Sequence, residues 1–579
     1  MSREGPLERA RSYFEYANAH PVITAWRAKA QEDYGFYDGD GQWEPEILQQ
    51  LQERGQAAIT VNKIKPLVNF LSGVEIQTRF RMAFRSHSGR VEDDRLAKAL
   101  THLGYFVQEH QDIPYKASLK FRDSLITGLG WSQLYKDKHG IAYEQVHPLN
   151  MVFDPDDLSP NLSAMQFVAR LRWYAIEEAK RLWPRESSYW NNLFHASPQS
   201  GSTSGEANFR QASSLDLYTS GDGGSGSRVL VVEVQYKDYD TAYAGFDGQG
   251  RMFQTFSKQE AWELDPTGAF DKTTAARIQR VLFTGDRLLE HGPLRPAIPN
   301  LPDFTYIPIV WSRRLNGVPD GWLSSMKDLQ RESNYRRAKL VNNLSSFRAE
   351  VEANAMPGMS VDQIREELKR PDSILLKTPG TVLNIQSNIP LAQGQFEMLM
   401  QVDRELQQVS GIHDDALGKP TNAESGVAIE KRQVNSVRSQ VFAFDNLRLM
   451  KKREGRLLLH YFQGGGDTFL EAQILDENEK ETILLNAVRY VDGQRVMFND
   501  IRTLPLSIYV EEVPDFESSA EEQQANLVAL LGNAHAPLIM QSPLFMKRLG
   551  IRDYESLANE MQQVMAKDTA LNQETAIPS

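Results

Sequence analysis

The sequence predicts an α+β fold, mainly helical, in which long amphipathic helices alternate with short β-rich blocks. Three observations carry this expectation. Apolar residues recur at helical spacing through residues 7–124 and again through residues 322–462. Between and after these stretches lie runs of period two bounded by Gly, Pro and Asp turns. At 579 residues the chain is longer than one core encloses, so several regions are expected.

Leu7 to Tyr34 reads as a helix interrupted near Pro21, and Asp38-Gly39-Asp40-Gly41 as a turn. Asp38 and Asp40 lack the further ligands and the closing glutamate of a calcium loop, so an Asx turn is the expectation. A short helix follows through Arg54, another over Thr60–Ile76, and a longer pattern over Val91–Ser124 with a break at Pro114. Gly128-Leu129-Gly130 runs into alternating "WSQLYKD" and "IAYEQVHPLNMVFDP". With no third glycine and no following helix it is not a dinucleotide fingerprint. Residues 196–228, "ASPQSGSTSGEANFRQASSLDLYTSGDGGSGSR", hold too little apolar surface to offset their ordering entropy and read as a mobile surface excursion. Strands are then expected in "VLVVEVQYKDYD", "RIQRVLFTGDRLLEHG" and "TYIPIVWSRR".

From Trp322 to Ala353 the spacing predicts one nearly uninterrupted polar helix with a narrow seam through Leu323, Met326, Leu329, Ala338, Val341, Leu344, Phe347 and Val351. So narrow a stripe demands neighbours on more than one side. A compact insert over Met356–Pro390 should hold a short helix, Val361–Arg370, and two strands, "SILLK" and "VLNIQ". A second helix, Leu391–Gln408, returns, and a third runs from about Asn422 to Phe462. Positive charge accumulates on the first of these helices (Lys327, Arg331, Arg336, Arg337, Lys339, Arg348) and on the third (Lys431, Arg432, Arg438, Arg448, Lys451, Lys452, Arg453, Arg456). Gly464-Gly465-Gly466 stops the third helix. β-rich structure with a hairpin turn at Asp492-Gly493 follows, then helix over Ser518–Lys567.

The loop "GIHDDALGKPTNAESGVAIEKRQ" imitates a phosphate-binding loop without being one. Six residues separate Gly411 from Gly418, and Pro420 replaces the Ser or Thr that would reach a metal. Pro420 also prevents a helix from starting behind Lys419 to face an anion. Gly411, His413, Asp414, Gly418, Pro420 and Asn422 therefore read as an interhelical loop, and Thr421–Glu424 as a capping box. His413, Asp414 and Asp415 are adjacent loop residues pointing in different directions, a poor metal or acid–base cluster.

The remaining chemistry is sparse. With no cysteine the chain has no disulfide, thiolate metal site or cysteine nucleophile. No triad elbow or zinc motif stands out, so no catalytic residue, metal or cofactor is expected. A net charge of −12 argues against a protein that coats DNA with a broad basic face but leaves room for a narrow nucleic-acid path. Trp131, Trp173, Trp183 and Trp311 are expected as core or interface anchors. No apolar run approaches the roughly 20 residues of a membrane span, and the charged, proline-bearing start is unlike a secretory signal, so synthesis in the cytosol is expected.

Three blocks bring a family into view: "YDGDGQWEPEILQQLQERGQAAITVNKIKPLVNFLSGVE", "VHPLNMVFDPDDLSPNLSAMQFVARLRWYAIEEAKRLWP" and "SGIHDDALGKPTNAESGVAIEKRQ". In that order the chain resembles the bacteriophage portal proteins, the head-to-tail connectors of the short-tailed-phage type, from about Tyr37 to Phe516. The resemblance implies a portal fold assembled as a cyclic ring of twelve copies at one capsid vertex of the virion, made in the bacterial host cytoplasm. It implies a wing over 1–321, stem helices over 322–355 and 391–410, a clip over 356–390 and a tunnel loop over 411–424. The long helix and wing β segments would occupy 425–516, and the crown and tail 517–579. Residues implied near a DNA channel are Lys419, Lys431, Arg432, Arg438, Arg336, Arg337 and Lys339. Implied partners are non-specific double-stranded DNA, the terminase packaging motor, a tail adaptor or head-completion protein, and the major capsid and scaffolding proteins. Two rival classes are a capsid or scaffold subunit without a channel and a packaging enzyme; the missing phosphate-binding loop counts against an ATPase.

Overall fold

The structure is a computed structural model. It describes residues 5–512 apart from 78, 138–139, 196–218, 221–227, 249, 295–302, 353–354, 357, 370–373, 375, 415–440, 465–469, 476–479 and 492–493. The Ser/Gly excursion, the stretch from Asp415 to Gln440 and the whole of the expected crown lie outside the described residues, apart from Thr219 and Ser220 of the excursion and Arg228 at its end. Two compact units emerge, one of residues 1–72 with 82–510 and one of 73–81 with 511–579. The described part of the second is a few residues at the ends of elements, and both larger sheets belong to the first.

The chain opens with α1 (Pro6–Ala19), α2 (Pro21–Asp38), α3 (Pro45–Glu53), α4 (Ile64–Gln77), β1 (Phe80–Ser86), α5 (Val91–His110) and α6 (Ile113–Thr127). Next come β2 (Leu129–Asp137), β3 (Gly140–Val146), β4 (Met151–Phe153), β5 (Phe167–Ala175), α7 (Ile176–Leu182), α8 (Ser187–His195) and β6 (Thr219–Ser220). Then follow β7 (Arg228–Phe246), β8 (Met252–Thr255), α9 (Lys258–Leu264), β9 (Asp271–Thr284), β10 (Arg287–Pro293) and β11 (Tyr306–Val310). The helical half holds α10 (Lys327–Ser345), β12 (Phe347–Val351), α11 (Val361–Lys369), β13 (Leu383–Ser387), α12 (Ile389–Ser410) and α13 (Val441–Gln463). Last are β14 (Leu470–Leu475), β15 (Lys480–Leu485), β16 (Ala487–Val491), β17 (Gln494–Phe498) and β18 (Leu506–Glu512).

The predicted break at Pro21 is real. Pro21 cannot donate within α1 but suits the first position of α2, and His20 caps α2 by accepting from Val22 N–H at 3.3 Å. An antiparallel sheet of order β10-β9-β7-β5-β4, with β6 and β8 also on β7, forms the largest layer. One face buries Leu171, Val232, Val234, Val281 and Phe283 against Phe14 and Ala17 of α1. On the other face, α7 and α8 cover Val229, Val231 and Leu282 with Trp183 and Trp190. A second sheet, β11-β2-β3, packs on α6. That approach is so close that a Cβ at Gly130 would sit 2.0 Å from the Lys120 carbonyl oxygen, which is why glycine stands there.

Three expectations need correction. The helix expected from Trp322 to Ala353 is a 3-10 turn, Trp322–Met326, then α10, which ends at Ser345. Phe347–Val351 is a strand paired antiparallel with β13, Ala349 opposite Ile385 and Val351 opposite Leu383. "SILLK" is no strand at its described positions: Ile374 and Leu376 are 86% exposed, and the partner expected for it is taken by β12. Of the tryptophans expected as core or interface anchors, Trp131 and Trp183 are core residues and Trp173 is 38% exposed.

Candidate nucleic-acid interface

α10 and α12 pack against each other, and their roots are keyed to the body by polar groups. Within α10, Gln330 and Asn334 lie one turn apart and are fully buried. Gln330 accepts from Lys63 N–H at 3.0 Å and donates to the Val61 carbonyl at 2.8 Å. Asn334 accepts from Val61 N–H at 3.1 Å and donates to Gln42 at 2.8 Å. The Lys63 ammonium in turn meets Asp403 of α12. These residues were not singled out from the sequence; the signal was there as two amides interrupting the apolar seam of α10.

Charge at the α10 root is consumed locally. Lys327, buried, binds Glu32 at 2.9 Å and also Asp33, which Lys29 holds at 3.0 Å. Burial alone would raise Glu32, but Lys327 and Arg331 outweigh it and hold its carboxyl below the usual carboxylate range. For the fully buried Asp33 burial wins and its carboxyl lies above that range despite both lysines.

Among the predicted channel residues, Arg336 is half-buried, ion-paired with Glu332 at 3.0 Å, and donates to Gln395 of α12 at 3.3 Å. Arg337 and Lys339 are exposed. Arg337 has no ion pair among the described residues, and the Lys339 ammonium stands 4.8 Å from the Tyr335 ring centre. Lys419, Lys431, Arg432 and Arg438 lie outside the described residues, as do Gly418, Pro420 and Asn422. Gly411 ends α12 in the left-handed conformation, φ 70°, donating to Gln407 at 2.9 Å. His413 beyond it is exposed, Asp414 is half-buried, and no cluster of three His, Asp or Glu side chains fit for a metal exists among the described residues.

The cationic stripe read on the third helix is corrected in its second half. Lys451 and Arg453 of α13 are core residues: Lys451 pairs with Glu454 at 3.3 Å, and Arg453 donates to Asp303 at 2.8 Å and to the Asn161 carbonyl at 2.8 Å. Glu454 also accepts from the Tyr143 hydroxyl at 2.6 Å and faces the Lys120 ammonium at 3.3 Å. One buried carboxylate thus serves two buried ammonium groups. It stays below the usual carboxylate range, burial being outweighed by Lys451, Lys120 and Tyr143. Burial pushes Lys120 down to about 7. Arg448 and Lys452 remain exposed.

The exposed surface of α12 mixes polar residues, Gln393, Glu397, Gln401, Arg404 and Gln408, with apolar ones that flank its buried seam. Ala392, Leu399, Val402, Leu406 and Ser410 form its buried seam, while Leu391, Phe396, Met398, Met400 and Val409 are between 39% and 62% exposed. A helix with apolar residues on both its buried and its open side has a face left over for a neighbour.

The comparison with known families is decisive for identity. A profile described as phage P22-like portal protein matches residues 11–578. The chain belongs to that family. A protein named "Portal protein" from Helicobacter pylori bacteriophage KHP30 is 23% identical over 412 residues, covering 69% of this chain. The match spans only 57% of that relative's length. Portal proteins are structural and not enzymes. Among the described residues no helix is long and apolar enough to cross a membrane.

Proposed function

We propose that twelve copies of this chain close into a ring at one vertex of a phage capsid and serve there as a passive conduit through which double-stranded DNA is packaged and later ejected. Family membership across residues 11–578 carries the proposal. In this reading α10 and α12 are the stem, Met356–Pro390 is the clip, Gly411–Glu424 is the tunnel loop, the sheets are the wing, and the residues beyond Phe516 form the crown. The exposed apolar residues of α12 support a cyclic assembly, because a heterologous interface offers each subunit a second packing surface.

Repetition changes what a weak charge does. Lys419, Lys431, Arg432 and Arg438, with Arg337 and Lys339, would each become a ring of like charges able to touch phosphates without reading sequence. Arg336 contributes less, being neutralised by Glu332. The clip would meet the terminase motor and later the tail adaptor, and the wing would meet capsid shell and scaffold. The proposal is tested by exchanging Lys419 and Lys431 together for Glu in assembled particles. Rings should persist while DNA filling or retention falls; normal filling would remove the tunnel assignment.

A further inference from the structure

The face of the β10-β9-β7-β5-β4 sheet that turns away from α1 changes character along its length. α7 and α8 cover its apolar end, but from Glu233 onward it carries Arg170, Glu233, Gln235, Arg280 and Glu290 and is left as a cleft of about 1440 Å³. Tyr135, Lys136 and Glu144 of β2 and β3 form one wall, and Leu182, Trp183 and Arg185 close one end. This volume exceeds the roughly 300–1,000 Å³ of small-molecule pockets and has room for a length of chain.

Of the five carboxylates lining this cleft, four are held by arginines, and the fifth, Asp137, lies exposed beside Lys136. Glu144 accepts both ends of the Arg170 guanidinium, at 2.9 and 2.7 Å. Glu233 holds Arg280 at 3.0 Å, and Glu290 takes Arg280 at 3.2 Å and the Trp183 indole N–H at 2.8 Å. At the end near the Arg9 side chain, Asp238 is held by Arg9 at 3.3 Å. Groups left to recognise something are cationic. Lys136 and Arg185 have no ion pair or hydrogen bond among the described residues. Arg172, half-exposed, reaches only to 4.0 Å of a Glu144 already held by Arg170. Aromatic surface is interleaved with them: Arg172 stands 5.0 Å from the Tyr174 ring centre, and Tyr174 meets Trp183 edge to face at 5.4 Å.

We infer that this cleft is a docking site for an extended acidic peptide segment of a partner protein, its carboxylates on Lys136, Arg172 and Arg185 and its apolar side chains on Tyr174 and Leu182. Charge complementarity selects the occupant: a basic segment meets four carboxylates already held by arginines, and this cationic rim stands on a protein of net charge −12. A peptide suits it better than nucleic acid, because a phosphate at every step would lie against the engaged carboxylates of the floor, whereas a peptide can alternate acidic with apolar side chains. The inference is independent of ring formation and of the DNA path.

The test is fluorescence anisotropy of a short labelled peptide of alternating glutamate and phenylalanine with the full-length chain. The same peptide with lysine for glutamate and a labelled oligothymidylate serve as comparisons. Saturable binding of the acidic peptide alone is expected, weakened about tenfold or more by Arg172→Glu with Arg185→Glu, with circular dichroism unchanged. Should the double variant misfold, Lys136→Glu carries the same expectation. Absent binding, equal binding of the lysine peptide, tighter binding of oligothymidylate sensitive to the same substitutions, or indifference to charge reversal would each overturn the inference.

Discussion

Replacing Glu454 and replacing Lys120 should have unequal consequences although the two side chains face each other. Both are buried, at 3.3 Å, and the carboxylate also holds Lys451 at 3.3 Å and the Tyr143 hydroxyl at 2.6 Å. Glu454→Leu takes the carboxylate away from the buried Lys451 ammonium, the Lys120 amino group, which keeps only Ser132 at 2.8 Å, and the Tyr143 hydroxyl, a loss of about 3–5 kcal/mol. Lys120→Met removes an amino group that is only partly ionised at neutral pH, leaving an uncharged side chain one heavy atom shorter, and leaves Glu454 with Lys451 and Tyr143. Its cost at pH 7 should lie within about 1 kcal/mol of zero, on either side. The pH dependence follows with a definite sign. With the folded value near 7 and the ordinary value of 10.5, the unfolded chain binds the extra proton between those limits. Stability of the natural protein should therefore rise with pH there, by up to about 1.4 kcal/mol per unit relative to Lys120→Met. Thermal melting of both variants and the natural chain between pH 6 and about 9, reported as differences because a chain of this size need not melt in two states, reads the effect. Equal losses for the two substitutions, or a difference that stays flat with pH, would refute a deprotonating Lys120.

Other expectations rest on single contacts. Burial raises Asp123 to about 6 against the hydrogen bonds it accepts from Tyr34 at 3.0 Å and Gln145 at 2.6 Å. The folded chain then holds the extra proton between about pH 4 and 6. Stability should fall as pH rises through that window by about 3 kcal/mol relative to Asp123→Asn, measured by melting. Gly130→Ala places a methyl 2.0 Å from the Lys120 carbonyl oxygen and should cost about 3 kcal/mol or abolish soluble expression, whereas Gly73→Ala, with open space around it, should cost far less. Phe396→Glu with Met400→Glu changes only exposed positions of α12. It should leave circular dichroism intact and shift the particle mass from assembled to monomeric.

Much of the helical half was legible because periodicity and punctuation agree. Pro21 and Pro114 mark real breaks, Gly411 ends α12 where the pattern stops, and Val361–Lys369 lies where a short helix was expected. The strand Phe347–Val351 was misread because "FRAEVEA" continues a helical spacing. Its strand state comes from a partner some 36 residues on, Leu383–Ser387, which local propensity does not register. The strand β5 and the helices α7 and α8 went unread, being short elements whose apolar positions make sense only against β7 and β9. The charge reading fared unevenly for one physical reason. A basic side chain looks the same in sequence whether it faces water or a carboxylate, and Lys451 and Arg453 are matched by Glu454 and Asp303, the latter 150 residues away. Arg337 and Lys339 stayed exposed.

The most direct measurement is the mass of the purified full-length protein in solution, with electron micrographs of the same sample. A closed ring of about twelve subunits with an open axis is predicted, consistent with cyclic point-group symmetry. A stable monomer at high concentration, or shells and fibres without a central passage, would contradict it.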